Sequence, residues 1–158
     1  MAFFTRNCCR NRRQTQVRML GDSFIFSAVE ITNPAVQTVN AGEEIAFSQS
    51  NINSGVSFRY NGGNSIEIIS SGVYKISFVG SATTTADSLI NLGIAVNGTA
   101  QPITEISQSV FAGTYENVKT ELILRVDNPS ALISVLNTGA TNFDMLNPML
   151  SIIRIGNN

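Results

Sequence analysis

Residues 69–78 have the sequence Ile-Ser-Ser-Gly-Val-Tyr-Lys-Ile-Ser-Phe, and the fold class of the chain can be argued from this stretch. Its Ser-Ser-Gly segment is a turn signal, and the run that follows places Tyr74, Ile76 and Phe78 at alternate positions. Because successive side chains of a strand point to opposite faces, these three share one face. The stretch therefore predicts a strand with one face against a hydrophobic core.

The same alternation recurs along the chain, with turn residues between the runs. Residues 89–96 are the clearest further example and end at an Asn-Gly turn, whereas no stretch combines a helical apolar stripe with capping residues. We therefore predict an all-β fold, an antiparallel jelly-roll sandwich of about 8–10 strands with an extended N-terminal arm. The predicted strands lie within residues 24–31, 36–39, 56–60, 66–68, 73–79, 89–96, 103–111, 118–126, 131–136 and 149–155, with a loop at residues 142–148. The side chains expected in the core are those of Ile76, Phe78, Leu92, Ile94, Leu124 and Ile152.

Charge divides the chain into two parts. Residues 1–18 contain five arginines, both cysteines and no acidic residue, whereas the remainder contains five basic and eleven acidic residues, a net charge of −6. The first part has too few regularly spaced apolar residues to form a core of its own. We therefore expect a cationic connector arm over residues 1–21 and one jelly-roll domain over residues 22–158.

The composition argues against several classes of protein. The chain has no histidine, the commonest general base and metal ligand, and its acidic residues show no paired spacing. We therefore expect no enzyme, no cofactor and no metal. We also expect no membrane partner, because no apolar run approaches the ~20 residues of a membrane helix. Nucleic acid is not an expected partner either, because no aromatic residues alternate with the arginines of the arm.

Cys8 and Cys9 are adjacent, and this spacing restricts what they can do. A disulfide between neighbouring residues is strained, and a metal site needs further ligands. Two interpretations stay open. The thiols are reduced or inert, or they form intermolecular disulfides with the same cysteines of other arms, because the body has no cysteine.

Several predicted strands are apolar on both faces, which a monomer exposing one sheet face to water does not need. Ile123, Val135 and Ile153 occupy the second face of their strands. We expect these residues at a subunit interface, although overlying loops would also explain them. Arg10, Arg12 and Arg13 of the arm are expected at an interface as well.

The residues described so far also carry a resemblance to known families. Residues 69–78 resemble the "GxYxI" strand of tumour-necrosis-factor-like and complement-globular-head jelly rolls, and residues 92–98 and 148–155 resemble later strands of those folds. With the Thr/Ala-rich residues 81–86 between them, the order is similar to that in the C-terminal domain of collagen-like exosporium glycoproteins of spore-forming bacteria (the BclA type). The collagen stalk of those proteins is absent here, and the Cys8-Cys9 arm is instead similar to the connector of bacterial endospore appendage subunits.

These resemblances imply a function. They imply a structural, self-assembling subunit of a bacterial spore-surface layer, fibre or appendage, whose partners are copies of itself, possible trimers included, and other spore-coat or exosporium proteins. The appendage resemblance implies that arm docking and disulfides at Cys8 and Cys9 join the subunits. We expect synthesis in the mother cell without a signal peptide, followed by a location on the spore surface that is extracellular after release. The alternative is a trimeric binding head that recognises a receptor, a glycan or a coat protein.

Overall fold

A computed structural model describes residues 26–157, which form two antiparallel β-sheets packed face to face. One short 3-10 turn, Pro102–Thr104, lies between the eighth and ninth strands. The twelve strands are β1 (Ala28–Thr32), β2 (Gln37–Val39), β3 (Gln49–Ser54), β4 (Phe58–Arg59), β5 (Ile66–Ile68), β6 (Gly72–Thr83), β7 (Ser88–Val96), β8 (Thr99–Ala100), β9 (Ile106–Val110), β10 (Glu116–Val126), β11 (Ala131–Asn137) and β12 (Phe143–Gly156).

The strand order is that of a jelly roll. The front sheet has the order β10-β6-β12-β1-β3, with β2 paired to β12, and the back sheet has the order β4-β5-β11-β7-β8, with β9 paired to β7. From β6 onward the chain repeatedly crosses between the sheets, so that β10 and β12 both pair with β6 in front while β11 pairs with β7 behind. The predicted all-β antiparallel jelly roll is thus confirmed.

The core lies between the two sheets, and β6 is its centre. Tyr74, Ile76 and Phe78 are fully buried, as the alternation in the sequence predicted. The prediction is also confirmed for Leu92, Ile94 and Ile152. Leu124 is only half-buried, because β10 lies at the edge of the front sheet and its side chain packs against the rim of the core.

Two local predictions were wrong, and one strand was not predicted. Residues 103–105, predicted as the start of a strand, belong to the 3-10 turn and its C-terminal cap. Residues 142–148 are not a loop, because β12 begins at Phe143 and pairs with β6 from Asp144. A register shift between Leu146 and Met149 accommodates Pro148, which has no N–H and is tolerated inside a strand at such a bulge. The other difference is β3, which sequence patterns did not predict, because its six residues are all exposed and mostly polar.

The two ends of the sandwich contain different parts of the chain. β1 starts at Ala28, opposite Ile153 near the end of β12, so the N-terminal arm joins the body at this end, which we call the arm end. The opposite end, which we call the distal end, contains the close of β6, the start of β10 and the start of β12. Ten residues of extended strand between Asp144 and Arg154 put roughly 30 Å between the two ends.

The 3-10 turn closes the edge between the sheets through Thr104. The Thr104 hydroxyl accepts a hydrogen bond from the Ile94 N–H at 2.9 Å and donates one to the Gln101 carbonyl at 2.7 Å. The Thr120 hydroxyl on β10 donates to the Thr104 carbonyl at 2.7 Å, which ties the front sheet to this turn. Thr104 is 2% exposed, so little water reaches these groups.

We expect Thr104→Val to lower the free energy of unfolding by about 1–3 kcal/mol, because it leaves the buried Ile94 N–H without an acceptor. Urea unfolding followed by circular dichroism measures this loss. Thr99→Val, at an exposed residue of β8, is the control and is expected to change stability by less than about 0.5 kcal/mol. Equal stability of the two variants would contradict the assignment.

Candidate interaction surface on the front sheet

The outer face of the front sheet carries apolar side chains that the core does not use. β10, β6 and β12 pair so that Ile123, Lys75 and Ile153 lie side by side on this face. Ile123 is 68% exposed and Ile153 is 37% exposed. Val79 and Ile155 extend the same face along β6 and β12, and both are exposed. We call these outward side chains the front face.

The structure separates the residues predicted at the subunit interface. Ile123 of β10 and Ile153 of β12 lie in one row of the front face, on either side of Lys75 of β6. The prediction for Val135 was wrong, because its side chain points into the core and is 0% exposed. Leu132 is the exposed apolar residue of β11, at 45%, and lies on the outer face of the back sheet.

A hydrogen bond explains why Val135 was misassigned. Ser134, its polar neighbour, is 2% exposed although it lies on the outer face of the back sheet. Its hydroxyl donates to the Glu44 carboxylate at 2.6 Å, and the backbone of Glu44 pairs with that of Leu136 beside it. The outer face of β11 is therefore covered at Ser134 and exposed at Leu132, and the sequence alone did not show which face is the core.

The remaining predicted site residues lie outside the described part of the chain. These are Cys8, Cys9, Arg10, Arg12 and Arg13.

One ion pair lies on the front face beside Ile123 and Ile153. Lys75 forms an ion pair with Glu121 at 3.2 Å, and the Ser77 hydroxyl donates to the same carboxylate oxygen at 3.2 Å. The hydrogen bond from Lys75 lowers the pKa of Glu121, and the charge of Lys75 adds to this effect. Because the pair is exposed, it contributes little to the stability of the body. It does leave the charge of this row balanced beside Ile123 and Ile153.

A groove of about 340 Å³ continues the front face where β1 ends. Val79 and Met149 supply apolar side chains to the groove, and residues 32–34 form its wall. The Asn33 carboxamide fixes that wall, because it accepts from the Ala35 N–H at 3.1 Å and donates to the Ala46 carbonyl at 3.3 Å. The groove is thus a preformed, mainly apolar extension of the face.

Three carboxylates of the described chain serve local structure. Asp87 accepts from the Ala112 N–H at 2.9 Å, Glu105 accepts from the Thr138 hydroxyl at 2.9 Å, and Asp127 pairs with Arg125 at 2.8 Å. Within residues 26–157, no three acidic, histidine or cysteine side chains lie close enough to hold a metal ion. The same residues contain no helix long and apolar enough to cross a membrane.

Two aromatic side chains at the distal end form a second exposed feature that sequence reasoning missed. Phe111 is 60% exposed and Tyr115 is 51% exposed in the loop before β10. The Gly113 N–H donates to the Thr84 carbonyl at 2.9 Å, and the Ala112 N–H bonds to Asp87. These bonds hold the loop, so the two rings are presented on a fixed backbone. The fixed position of the rings depends on hydrogen bonds between two loops that are distant in sequence, and periodicity in the sequence cannot indicate such bonds.

Comparison with known proteins identifies the fold. No protein-family model matches the chain, and no curated protein matches it. Among solved structures, murine APRIL at pH 5.0 superimposes with a TM-score of 0.65 at 11% identity, covering 82% of this chain and 99% of that one. The globular domain of zebrafish complement 1qA gives a TM-score of 0.60 at 11% identity, covering 84% of this chain and 99% of that one. Eiger TNF from S. frugiperda gives 0.60 at 9% identity, with 85% and 94% covered. The chain therefore has the jelly-roll fold shared by tumour-necrosis-factor-like proteins and complement globular heads.

Proposed function

We propose that this protein is a structural, self-assembling subunit of a bacterial spore-surface layer, fibre or appendage. Its bodies associate through the front face, and its N-terminal arms join neighbouring subunits by docking and by disulfides at Cys8 and Cys9. The observation that carries the proposal is the exposed apolar front face, with Ile123 at 68% and Ile155 at 46% exposure. Exposed apolar side chains grouped on one sheet face are a common feature of contact sites on soluble proteins.

The arrangement of the front face favours contact with another folded surface. Its side chains stand on three long strands, of which β6 pairs with both β10 and β12, so little conformational entropy is lost when they are covered. The Lys75–Glu121 pair supplies balanced polar groups within the apolar rows, as in the mixed composition of protein interfaces. A second copy of the body is the proposed partner, and the exosporium resemblance makes a trimer the proposed copy number.

The proposed location on the spore rests on the sequence motifs. Residues 69–78 and 92–98, with the Thr/Ala-rich segment between them, carry the exosporium resemblance, and the cysteine pair carries the appendage resemblance. Synthesis in the mother cell and exposure after its lysis would let disulfides form outside a reducing cytoplasm. Other coat or exosporium proteins are further proposed partners.

Particle size and covalent linkage test this proposal together. We expect native protein to form large particles in negative-stain images and a ladder on a non-reducing gel that collapses when thiol is added. A homogeneous monomer at micromolar concentration, with a single gel band in both conditions, would contradict it. Light scattering of the reduced sample measures the oligomer formed by the bodies alone.

The alternative function is a trimeric binding head, and the distal loop favours it. Phe111 and Tyr115 are large exposed rings on a hydrogen-bonded loop, and aromatic side chains are common anchors in binding sites. A receptor, a glycan or a coat protein would be the ligand. A small oligomer that has the same size before and after reduction, with no larger particles, would support this alternative.

A further inference from the structure

A cavity of about 290 Å³ opens at the distal end of the front sheet. It is lined by Thr38, the three consecutive threonines at 83–85, Asn142, Phe143 and Asp144. The Thr38 hydroxyl donates to Asp144 Oδ1 at 2.7 Å, and no described residue donates to the second oxygen, Oδ2. The Thr83 hydroxyl is buried and has no hydrogen-bond partner within residues 26–157. The cavity therefore holds unused hydrogen-bonding capacity beside a carboxylate.

The acidic groups around this cavity have no basic partners. Glu43, Asp87 and Glu116 lie on the distal end with Asp144, and none of the four belongs to an ion pair of the described chain. The basic residues of the described chain lie in the middle of the sandwich or at the arm end; they are Arg59, Lys75, Lys119, Arg125 and Arg154. The cavity thus faces outward from a negatively charged end.

The chemistry of the cavity fits a guanidinium group. A carboxylate oxygen, threonine hydroxyls and an amide oxygen are all acceptors, and a guanidinium presents five N–H donors in a planar fork. A negative rim favours a cation over a neutral group, and a charge-assisted hydrogen bond is stronger than a neutral one. None of the basic residues of the described body lies in this cavity, so an arginine that binds there would have to come from another part of the chain.

We propose that an arginine of the N-terminal arm of a second copy binds in this cavity beside Asp144. The arm has five arginines and no acidic residue in residues 1–18, and the distal end has four carboxylates that form no ion pair within the described residues. The arm joins its own body roughly 30 Å from the cavity, and in a head-to-tail stack this end of one subunit would face the cavity of the next. This inference rests on the proposed function and identifies where the arm docks.

The contact has a direction. The arm end of one subunit meets the distal end of the next, so the two surfaces differ and the interface is heterologous. Such a contact leaves one free arm and one free cavity at the ends of every stack, and growth can continue without closure. The docked arms would carry Cys8 and Cys9 to one region of the assembly in each repeat.

Two full-length variants test the inference under reducing conditions, where docking acts without disulfides. The first, the arm-neutral variant, has Arg6, Arg10, Arg12, Arg13 and Arg18 changed to Gln and keeps the cavity. The second is Asp144→Lys, which keeps the arm. We expect each variant alone to stack roughly ten- to hundredfold more weakly than the native protein in sedimentation velocity. An equimolar mixture should form pairs, because the arm of the second variant can enter the cavity of the first.

Unfolding measurements separate docking from a general folding defect. The Asp144→Lys and arm-neutral variants are expected to keep the circular dichroism spectrum and urea midpoint of the native protein, which a structural defect would not allow. Glu105→Lys, at an exposed acidic residue on the side edge away from both ends, is the matched control and should stack normally. Stacking of Asp144→Lys at the native level, or a mixture that sediments as the sum of its parts, would overturn the inference while leaving the proposed function intact. Native protein that forms no stack at all would overturn both.

Discussion

Ile123→Lys is expected to dissociate the bodies while leaving each one folded. Ile123 is 68% exposed in the single chain, so the substitution removes no core contact. In the assembly, the new ammonium group would be buried beside Lys75, which lies opposite Ile123 in the register. Burying an unpaired charge costs about 3–5 kcal/mol, which weakens association more than about a hundredfold. Light scattering under reducing conditions measures the change.

Lysine is the informative substitution because of the neighbouring charge. A glutamate at the same position could pair with Lys75 and hide part of the effect, whereas lysine repels it. Leu132→Lys is the control, since Leu132 is 45% exposed but lies on the back sheet. We expect this variant to associate normally. Association of Ile123→Lys at the native level would show that the front face is not the contact between bodies.

The part of the fold that could be predicted is the part that local alternation encodes. Tyr74, Ile76 and Phe78 alternate with polar residues, and the structure buries all three. The Asn-Gly turn at residues 97–98 is equally local, and both residues have the positive φ, 52° and 76°, that such a hairpin turn requires. These features depend only on neighbours in the chain, so one sequence suffices to find them.

Other features depend on contacts between distant residues and could not be predicted. β11 is apolar at successive positions, and only the Ser134–Glu44 hydrogen bond, between residues 90 apart in sequence, shows why Val135 faces the core. β3 forms because β1 offers its edge, and its own polar residues give no alternation. A strand that is stabilised mainly by pairing with its neighbour has little recognisable pattern in its own sequence.

Of the two candidate surfaces, the front face could be predicted from the sequence in part and the distal cavity could not. Ile123 and Ile153 stand out in the sequence because each is apolar where the strand should be polar, and the structure places both on the front face. The sequence has no pattern that indicates the distal cavity. Thr38 and Asp144 are 106 residues apart in sequence, and only the pairing of their strands brings them together with the threonines. Polar sites assembled from several strands need the fold before they become visible.

Combined replacement of Cys8 and Cys9 by serine is expected to remove the resistance of the assemblies while leaving the body unchanged. The two positions precede the described residues, and the body contains no cysteine, so its circular dichroism and unfolding midpoint should match those of the native protein. Without covalent links, every contact between subunits is an equilibrium contact, and heat or mild denaturant should separate the subunits.

Covalent linkage changes the kinetics of disassembly more than its equilibrium. One disulfide contributes about 2–4 kcal/mol in a single chain, but a series of intermolecular bonds makes release depend on cleaving each bond. We therefore expect native assemblies to survive heating in detergent and the double-serine variant to migrate as single subunits, with the native protein plus thiol behaving like the variant. Single replacements, Cys8→Ser and Cys9→Ser, show whether one bond per arm suffices. Double-serine assemblies that are as resistant as the native ones would show that the cysteines form no link, and the resistance would then have to come from the front face and arm docking alone.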